Sequence, residues 1–433
     1  MSFETVTLDS LCELVVDCPH STPKWTDEGI IVLRNQNIKN GVLDLSAPSF
    51  TNEEDYLKRI KRAAPKAGDI VFTREAPMGE VCMIPEGVKC CLGQRQVLLR
   101  PKSDVNGQYL FWALQSPYVQ QQIAWNEGTG STVSNVRIPV LKALNIPRID
   151  NEDMVAKSLS DIASKMALNT QTNQTLEQMA QAIFKSWFVD FDPVKAKMNG
   201  EQPEGIDAST ASLFPEKLVE SELGLIPEGW EVETLDCHTS MIIDHRGKTP
   251  KKLGSDWVEE GYPAISAKNI KSKKIVRPDT IRFLDEAAYK KWMKVPLIKG
   301  DIIMTSEAPM GELYFFDGSR DFCLSQRLYG LRANPEVCNP VFLFNWLQTT
   351  QAKADMEGRA SGSTVLGIKQ AELRKVKILT PPKNILDKYS SIASNLIDMT
   401  AKNNAQNISL EELRDTLLPK LLSGEIDLAE TTI

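Results

Sequence analysis

The feature that most constrains the fold is a hexapeptide, EAPMGE, that occurs twice in identical form. It lies at residues 75–80 and again at residues 307–312, a displacement of 232 residues. The match continues on both sides in the same order: Gly68-Asp69-Ile70 with Gly300-Asp301-Ile302, Gln94-Arg95 with Gln326-Arg327, and Gly130-Ser131-Thr132-Val133 with Gly362-Ser363-Thr364-Val365. A repeat of this length and order indicates one structural module written twice.

The front of the module repeats as well, at a displacement of 227 residues. Thr7-Leu8-Asp9 returns as Thr234-Leu235-Asp236, and Thr22-Pro23-Lys24 returns as Thr249-Pro250-Lys251. Five additional residues in the second copy, between Lys251 and Gly261, account for the change of displacement. The sequence therefore predicts two pseudo-symmetric domains, at residues 1–150 and 230–383.

The two modules differ in charge from the rest of the chain. The whole chain of 433 residues carries a net charge of −7, which by itself argues against a nucleic-acid partner. Counted by segment, residues 1–150 carry −1 and residues 230–383 carry +5, while residues 151–229 and 384–433 together carry −11. The acidity lies outside the modules, so either module can present a local basic face to DNA.

Cysteine usage and hydropathy predict a cytoplasmic protein without a membrane partner. The sequence holds no run of about 18 apolar residues, and its start, MSFETVTLDS, has no basic and apolar signal region. The eight cysteines show no CxxC spacing, which favours buried reduced thiols. Of the three histidines, His238 and His245 could share a metal, but no cysteine or carboxylate set completes a site, and we predict none.

Each module has the pattern of a mixed α+β domain. In the first module, Asp69–Thr73 and Val81–Ile84 have the composition of strands joined by a Pro- and Gly-containing turn. Residues 29–33 and 97–99 are further strand candidates, 109–116 has a helical pattern, and 144–147 closes the module with a short strand. Residues 192–229, which are rich in Pro, Gly, Ser and Thr, are predicted to be a connector.

Two segments carry heptad seams and predict long helices at residues 151–191 and 384–433. Their apolar positions advance by alternating steps of three and four, with two polar residues in the middle of each seam. The seams are Leu159, Ile162, Met166, Asn169, Asn173, Leu176, Ala180, Ile183 and Trp187, and Tyr389, Ile392, Leu396, Met399, Asn403, Gln406, Leu410, Leu413 and Leu417. Matching polar layers predict an antiparallel two-helix coiled coil that separates the domains. The alternative is two independent helices, each lying on its own module.

No set of residues has the spacing of an active site. Glu75 and Glu80 could act as an acid–base pair, but a strand–turn–strand with hydrogen-bonded glutamates is the better interpretation. Asp279 with Glu286 and Lys290 is similar to a nuclease core, yet the Glu–Lys spacing is wrong and the first module lacks it. The chain also lacks a GxxxxGK[ST] motif and the motifs of an amino-methyltransferase. We expect no catalytic residue.

Polar and basic side chains recur at matching places in both modules. Arg, Lys, Gln, Asn, Ser and Thr are the residue types that contact base edges and phosphates. The candidate DNA-binding residues are Lys24, Asn35, Asn37, Arg74, Gln94, Arg95, Ser131, Thr132 and Asn135 in the first module, and Lys251, Lys268, Asn269, Ser306, Gln326, Arg327, Ser363, Thr364 and Lys369 in the second. Gln-Arg is the strongest pair, because Arg can pair with guanine and Gln with adenine. A structural pair that holds the strands is the alternative.

Three segments give the chain a family resemblance. They are AIFKSWFVDFDPV at residues 182–194, ELGLIPEGW at 222–230 and LLPKLLSGEI at 417–426. With these, the chain resembles the DNA-specificity subunits of type I restriction–modification systems over essentially its whole length. The resemblance implies two target-recognition domains, each reading half of a bipartite site in double-stranded DNA, held apart by a two-helix spacer.

The resemblance also implies partners. In the family, two methylation subunits carry S-adenosylmethionine, and a restriction subunit carries an ATP- and Mg-dependent nuclease. This chain would bind neither cofactor. The acidic helices would dock the methylation subunits, with Trp187, Phe188 and Phe191 as candidate docking residues; whether restriction subunits also bind stays open. The similar modules predict partly repeated, inverted half-sites. A self-contained DNA-modifying enzyme and a protein-binding scaffold are the competing interpretations.

Overall fold

The computed structural model describes residues 4–125, 135–245, 247–362 and 365–428. Its contacts divide the chain into two compact units, residues 1–170 with 404–433 and residues 171–403. Elements of the first part of the chain are the strands β1 (Glu4–Thr7), β2 (Cys12–Asp17), β3 (Trp25–Thr26), β4 (Ile30–Leu33), β5 (Ile38–Lys39), β6 (Val42–Leu43), β7 (Ser49–Thr51), β8 (Ile70–Thr73), β9 (Val81–Met83), β10 (Cys90–Leu92), β11 (Gln96–Pro101) and β12 (Asn145–Arg148). Its helices are α1 (Leu8–Leu11), α2 (Glu53–Arg59), α3 (Gly107–Gln115), α4 (Pro117–Trp125), α5 (Ile138–Lys142) and α6 (Glu152–Phe188).

Two four-stranded sheets form the centre of the first domain. One has the order β2-β11-β8-β9 and is antiparallel throughout. The other has the order β10-β4-β7-β3 and contains one parallel pair, β10 with β4. Side chains alternate across β8: Ile70 and Phe72 pack towards α3, and Val71 packs with Leu33 and Cys90. Both faces of this sheet are therefore buried, and the predicted β8–β9 strand pair is confirmed.

The second part of the chain repeats this topology. Its strands are β13 (Leu218–Ser221), β14 (Gly224–Pro227), β15 (Glu231–Thr234), β16 (Thr239–Asp244), β17 (Tyr262–Ile265), β18 (Ile270–Lys271), β19 (Lys274–Ile275), β20 (Arg282–Leu284), β21 (Ile302–Thr305), β22 (Leu313–Phe315), β23 (Cys323–Leu324), β24 (Leu328–Ala333) and β25 (Lys377–Thr380). Its helices are α7 (Asp192–Met198), α8 (Ala208–Ala211), α9 (Leu235–His238), α10 (Glu286–Trp292), α11 (Pro340–Trp346), α12 (Thr350–Gly358), α13 (Gln370–Leu373) and α14 (Lys383–Leu422). The sheets β16-β24-β21-β22 and β20-β17-β23 correspond to the two sheets of the first domain.

A buried ion pair is repeated in the two domains. Arg100 donates to both oxygens of Asp69 at 2.8 and 2.7 Å, and Arg332 donates to both oxygens of Asp301 at 2.9 and 2.7 Å. Each aspartate is buried and also accepts a backbone N–H three residues before it. A two-pronged pair of this kind fixes strand β8 to β11, and β21 to β24, at the same place in both domains.

The long helices bond to each other through their polar seam residues. Asn169 Nδ2 donates to Gln406 Oε1 and to Asn407 Oδ1 at 2.8 Å each, within the first unit. Asn403 Nδ2 donates to Asn173 Oδ1 at 2.8 Å, within the second. The prediction that the polar positions of the two seams meet is therefore confirmed.

The predicted seam of α14 is wrong at one of its two heptad positions. Met399, Gln406 and Leu413 are exposed, whereas the residue after each, Thr400, Asn407 and Arg414, is half-buried. The three exposed residues are seven apart and occupy one heptad position. The half-buried residues Thr400, Asn407 and Arg414 are also seven apart, so the seven-residue repeat holds and this one position of the seam lies one residue later than predicted.

Residues 192–229 are more than a connector. They form α7, α8 and the hairpin β13–β14, and they bury Val194, Phe214 and Ile226 in the main core of the second unit. Phe214 meets Trp187 of α6 edge to face, with ring centroids 5.2 Å apart. The Pro- and Gly-rich composition that predicts a linker produces closely spaced short elements here.

The cysteine prediction agrees with the structure. Cys237 is exposed, and the other seven cysteines are buried with free thiols. Burial raises the pKa of the Cys82, Cys90 and Cys323 thiols to about 12. Within the described ranges, no helix has the length and apolar character needed to cross a bilayer.

Candidate nucleic-acid interface

The repeated hexapeptide is a hydrogen-bonded turn. It joins β8 to β9 in the first domain, where Gly79 N–H donates to Thr73 O at 2.9 Å and Glu80 N–H donates to Thr73 Oγ1 at 3.0 Å. Glu80 Oε2 accepts the Asn40 N–H at 2.7 Å, and Glu312 Oε2 accepts the Ser272 N–H at 2.8 Å in the second domain. Both glutamates therefore anchor a neighbouring loop, which agrees with a structural rather than an acid–base role.

The Gln-Arg pair lies directly beside this turn in both domains. Arg95 and Arg327 have left-handed backbones, with φ of 69° and 64°. Their side chains pair with Glu75 at 3.3 Å and Glu307 at 3.0 Å, and about half of each arginine side chain stays exposed. Non-glycine residues in this region are strained, and such strain clusters at binding sites. Each arginine is therefore anchored by the hexapeptide and still accessible to a ligand.

A cleft of about 680 Å³ opens beside Gln326 and Arg327 in the second domain. It brings together four residues that the sequence singles out, Lys251, Lys268, Gln326 and Arg327. It also contains residues that the sequence analysis missed: Lys248, Trp257, Thr280, Arg282 and Trp292. Among the described residues that line the cleft, five are Lys or Arg and a single one, Asp256, is acidic. The lining is therefore strongly cationic.

Lys248, one of the lining residues, lies beside His245. Lys248 Nζ donates to Trp292 O at 2.8 Å and lies 3.4 Å from His245 Nδ1. Burial, followed by the nearby Lys294, lowers the pKa of Lys248. Burial and Lys248 lower the pKa of His245. The repeat places Ser21 where the second domain has Lys248, so the first domain lacks this charge.

The first domain carries residues equivalent to part of this lining. Lys24 and Gln94 are exposed; the Lys24 backbone N–H donates to Asp55 at 3.2 Å, and Gln94 Nε2 donates to His20 O at 2.9 Å. Trp25 is exposed beside them, and its repeat partner is Trp257. The repeat itself could have identified these tryptophans, since each is followed by two residues and then by Glu-Gly, at Glu28-Gly29 and Glu260-Gly261.

Several predicted DNA-binding residues have structural roles instead. Arg74 pairs with Asp17 at 2.9 Å and donates to Val136 O and Asn135 Oδ1, so both Arg74 and Asn135 are engaged inside the domain. Asn37 and Asn269 are buried and cap short 3-10 turns by accepting the N–H of residues 34 and 266. The prediction that these four residues bind DNA is therefore corrected, because their polar groups are already used within the fold.

The remaining candidates fall into three groups. Asn35 is half-buried and donates to Glu75 O, and Ser306 is buried, so neither side chain is open to a duplex. Lys369 is exposed at the N-terminus of α13. Ser131, Thr132, Ser363 and Thr364 lie outside the described residues.

The candidate docking residues at the end of α6 and just after it are buried. Trp187 is 2% exposed, Phe188 is fully buried and Phe191 is 9% exposed. They form one aromatic cluster with Trp230, Phe342 and Tyr389. A partner cannot contact these side chains in the folded chain, so the docking prediction is corrected: the three residues build the core of the second unit.

Glu286, which was considered for catalysis, and His238, which was considered for metal binding, both contact other residues of the second domain. Glu286 pairs with Lys290 on the surface of α10 at 2.6 Å. His238 is buried, with Nδ1 3.1 Å from Thr234 O and Nε2 3.2 Å from Thr380 Oγ1. Across the described part of the chain, no group of three or more His, Cys, Asp or Glu residues has the geometry to hold a metal.

Comparison with known proteins agrees with this arrangement. The family model for the type I restriction modification DNA specificity domain matches the chain twice, at residues 2–178 and 227–412. The chain is 26% identical over 423 residues to the type I restriction enzyme HindI specificity subunit of Haemophilus influenzae, covering 87% of this chain and 90% of that protein. It is 25% identical over 372 residues to the MjaIX specificity subunit of Methanocaldococcus jannaschii, covering 85% and 80%.

A solved structure has the same fold. The type I restriction–modification S subunit from M. genitalium superposes with a TM-score of 0.57 at 18% identity, covering 97% of this chain and 96% of that one. The two family matches coincide with the two repeated modules and extend into both long helices. The chain thus belongs to the family of type I restriction–modification DNA specificity proteins.

Proposed function

We propose that this chain is the non-catalytic subunit that selects the DNA target of a type I restriction–modification complex. Each domain reads one half of a bipartite site. The observation that carries the proposal is the cationic cleft of the second domain, which is lined by the repeated Gln-Arg pair together with Lys248, Lys251 and Lys268. The residue types fit a duplex: Lys251 and Lys268 suit phosphates, and Gln326 and Arg327 suit base edges.

The repeat extends the proposal to the first domain. Arg95 has the same glutamate anchor and the same backbone conformation as Arg327, and each follows a glutamine, Gln94 or Gln326. Lys24 stands where the second domain has Lys251. Shared donors in a shared geometry should read shared bases, which supports partly repeated half-sites in inverted orientation, separated by unread base pairs.

The two long helices serve as the spacer in this proposal. The bonds of Asn169 and Asn173 with residues of α14 support an antiparallel two-helix coiled coil whose register is set by polar layers. The spacer segments are acidic, so they suit protein partners better than DNA. We assign the docking of two methylation subunits to their exposed faces, and S-adenosylmethionine and ATP with Mg to the partner chains.

The test uses the full chain assembled with its methylation subunits. The preferred site is determined by selection from randomised duplexes, for wild type and for Arg95→Ala and Arg327→Ala. Each substitution should relax one position in one half-site, at a cost of about 1–3 kcal/mol, and leave the other half intact. Lys251→Ala is the matched comparison. It should weaken binding to all sequences, and the number of phosphate contacts given by the salt dependence of the affinity should fall by about one.

Two results would contradict the proposal. If the wild-type complex bound all duplexes with equal affinity, the chain would not select a DNA target. Methylation or cleavage by the purified chain alone would remove the non-catalytic assignment.

A further inference from the structure

Each domain stacks an arginine on an exposed or half-buried tryptophan. Arg34 Cζ lies 5.5 Å from the ring centroid of Trp25, and Arg282 Cζ lies 4.1 Å from that of Trp257. Both arginines are exposed, and among the described residues neither forms an ion pair with a carboxylate, unlike Arg95 and Arg327. Trp257 and Arg282 line the cationic cleft, beside Gln326 and Arg327.

The tryptophans are equivalent, but the arginines are not. Arg34 follows β4, and its equivalent after β17 is Ser266: the N–H of each donates to an asparagine three residues later. Arg282 opens β20 and pairs with Ala264, as Ser49 opens β7 and pairs with Val32. The first domain therefore has Arg34 and Ser49, whereas the second has Ser266 and Arg282. At these two equivalent positions, the two domains therefore carry Arg and Ser in opposite order.

Stacking orients a guanidinium without using its hydrogen-bond donors. The indole face attracts the cation and holds its plane, while the N–H groups at the edge stay free. An arginine held by a carboxylate, as Arg95 is held by Glu75, has part of this edge already occupied. The free edge of a stacked arginine matches the O6 and N7 acceptors of guanine in the major groove.

We propose that Arg34 and Arg282 are the residues that make the two half-sites differ, each reading a guanine from a different place in the domain. The inference rests on the proposed function and deepens it. The Gln-Arg pair, which is common to both domains, reads the shared part of the half-sites. Trp25 and Trp257 act as positioning residues that orient the guanidinium.

The test exchanges the two arrangements within the full chain, in complex with its methylation subunits. In Arg34→Ser with Ser49→Arg, the first domain takes the residues that the second domain has at the same two places. Because both residues occur naturally on this scaffold, the double variant should fold, and a thermal unfolding curve checks that it does. Site selection from randomised duplexes should then show one changed position in the first half-site, now matching the second half-site, with the second half unchanged.

Single variants and the reverse exchange complete the design. Arg34→Ser alone should lower discrimination at one position on the order of tenfold or more. Trp25→Leu should reduce the same discrimination while leaving total binding to random duplex nearly constant. Ser266→Arg with Arg282→Ser should alter only the second half-site. Arg62→Ser, at an exposed arginine of the first domain, is the control and should leave the selected site unchanged.

Other outcomes overturn the inference. An unchanged first half-site in the folded double variant would do so. If Arg34→Ser weakened DNA binding equally for every sequence, and the slope of log affinity against log salt concentration fell by about one, Arg34 would be a phosphate contact. Failure of the proposed function gives a different result, because the wild-type complex itself would then show no preferred site.

Discussion

Asn403 Nδ2 donates a hydrogen bond of 2.8 Å to Asn173 Oδ1, joining the middle of α14 to the middle of α6 within the second unit. Both asparagines are half-buried in a stripe that is otherwise largely apolar. A polar pair in such a stripe gives up some stability but disfavours other registers, because a shifted helix would leave the amides without partners.

Removing one member of this pair should destabilise the helices. For Asn403→Ala we expect a loss of about 1 kcal/mol in the free energy of unfolding, since the hydrogen bond to Asn173 Oδ1 is removed at a half-buried place. Lys402→Ala, one residue earlier and exposed, should change it by less than about 0.5 kcal/mol. Chemical denaturation of the full chain measures both. Equal effects of the two substitutions would show that the asparagine pair makes no specific contribution.

Shortening both helices by one heptad should change the spacing of the target. In the proposed spacer, deletion of residues 169–175 together with 403–409 removes about 10 Å, at 1.5 Å per residue. The unread region of the preferred DNA site should then lose roughly three base pairs, at 3.4 Å each. Selection from duplexes with variable spacers measures the change. A folded and active deletion variant that keeps the wild-type spacing would refute the spacer role of these helices.

The buried Asp301–Arg332 pair should contribute far more than a surface pair. Asp301→Ala removes a buried carboxylate and leaves the half-buried Arg332 guanidinium without its two charged hydrogen bonds, which should cost about 1.5–3 kcal/mol. Glu286→Ala breaks the exposed pair with Lys290 and should cost less than about 0.5 kcal/mol. Denaturant titration compares the two variants. A cost for Asp301→Ala no larger than that for Glu286→Ala would contradict the assignment.

The second domain should lose stability in mild acid. Burial lowers the pKa of His238 from its ordinary value of 6.5, so the unfolded chain binds a proton more readily than the folded one. This contribution to stability is complete above pH 6.5 and declines as the pH falls below that value. The first domain has Leu11 at the equivalent place, so His238→Leu is a substitution that this fold already accommodates.

The melting temperature measured at about pH 7.5 and about pH 5.5 tests this expectation. The drop between the two values should be smaller in His238→Leu than in wild type. Part of the drop should remain, because burial also lowers the pKa of His245. His20→Ala, at an exposed histidine, is the control. An identical drop in wild type and His238→Leu would show that His238 does not contribute.

Sequence repetition alone was sufficient to predict the paired architecture. A displacement of 232 residues fixed the equivalence of Arg95 with Arg327, and both have the same backbone conformation and the same glutamate partner. Polar residues in the middle of two seams predicted the contacts of Asn169 and Asn173. These features depend on local spacing, which a linear sequence records directly.

Other features depended on pairings between distant segments. Sequence position did not reveal that Arg74 turns inwards to Asp17, or that Phe188 is enclosed by Trp230 and Tyr389, since burial is set by what packs on a residue from elsewhere in the chain. The buried stripe of α14 also depended on a distant segment, because Asn407 rather than Gln406 is half-buried and donates to Met166 O and Thr170 Oγ1 of α6.

The exchange of Arg34 and Ser49 for Ser266 and Arg282 shows the same division. All four residues can be read from the sequence. The displacement of 232 residues pairs Arg34 with Ser266, but Ser49 and Arg282 are one residue further apart, so an alignment at that single displacement does not pair them. Only the strand register, Ser49 opposite Val32 and Arg282 opposite Ala264, establishes that they are equivalent. Sequence determined which side chains each domain possesses. Tertiary structure decided which of them meet, because hydrogen-bonded strand pairing sets distances between residues that the chain itself keeps far apart.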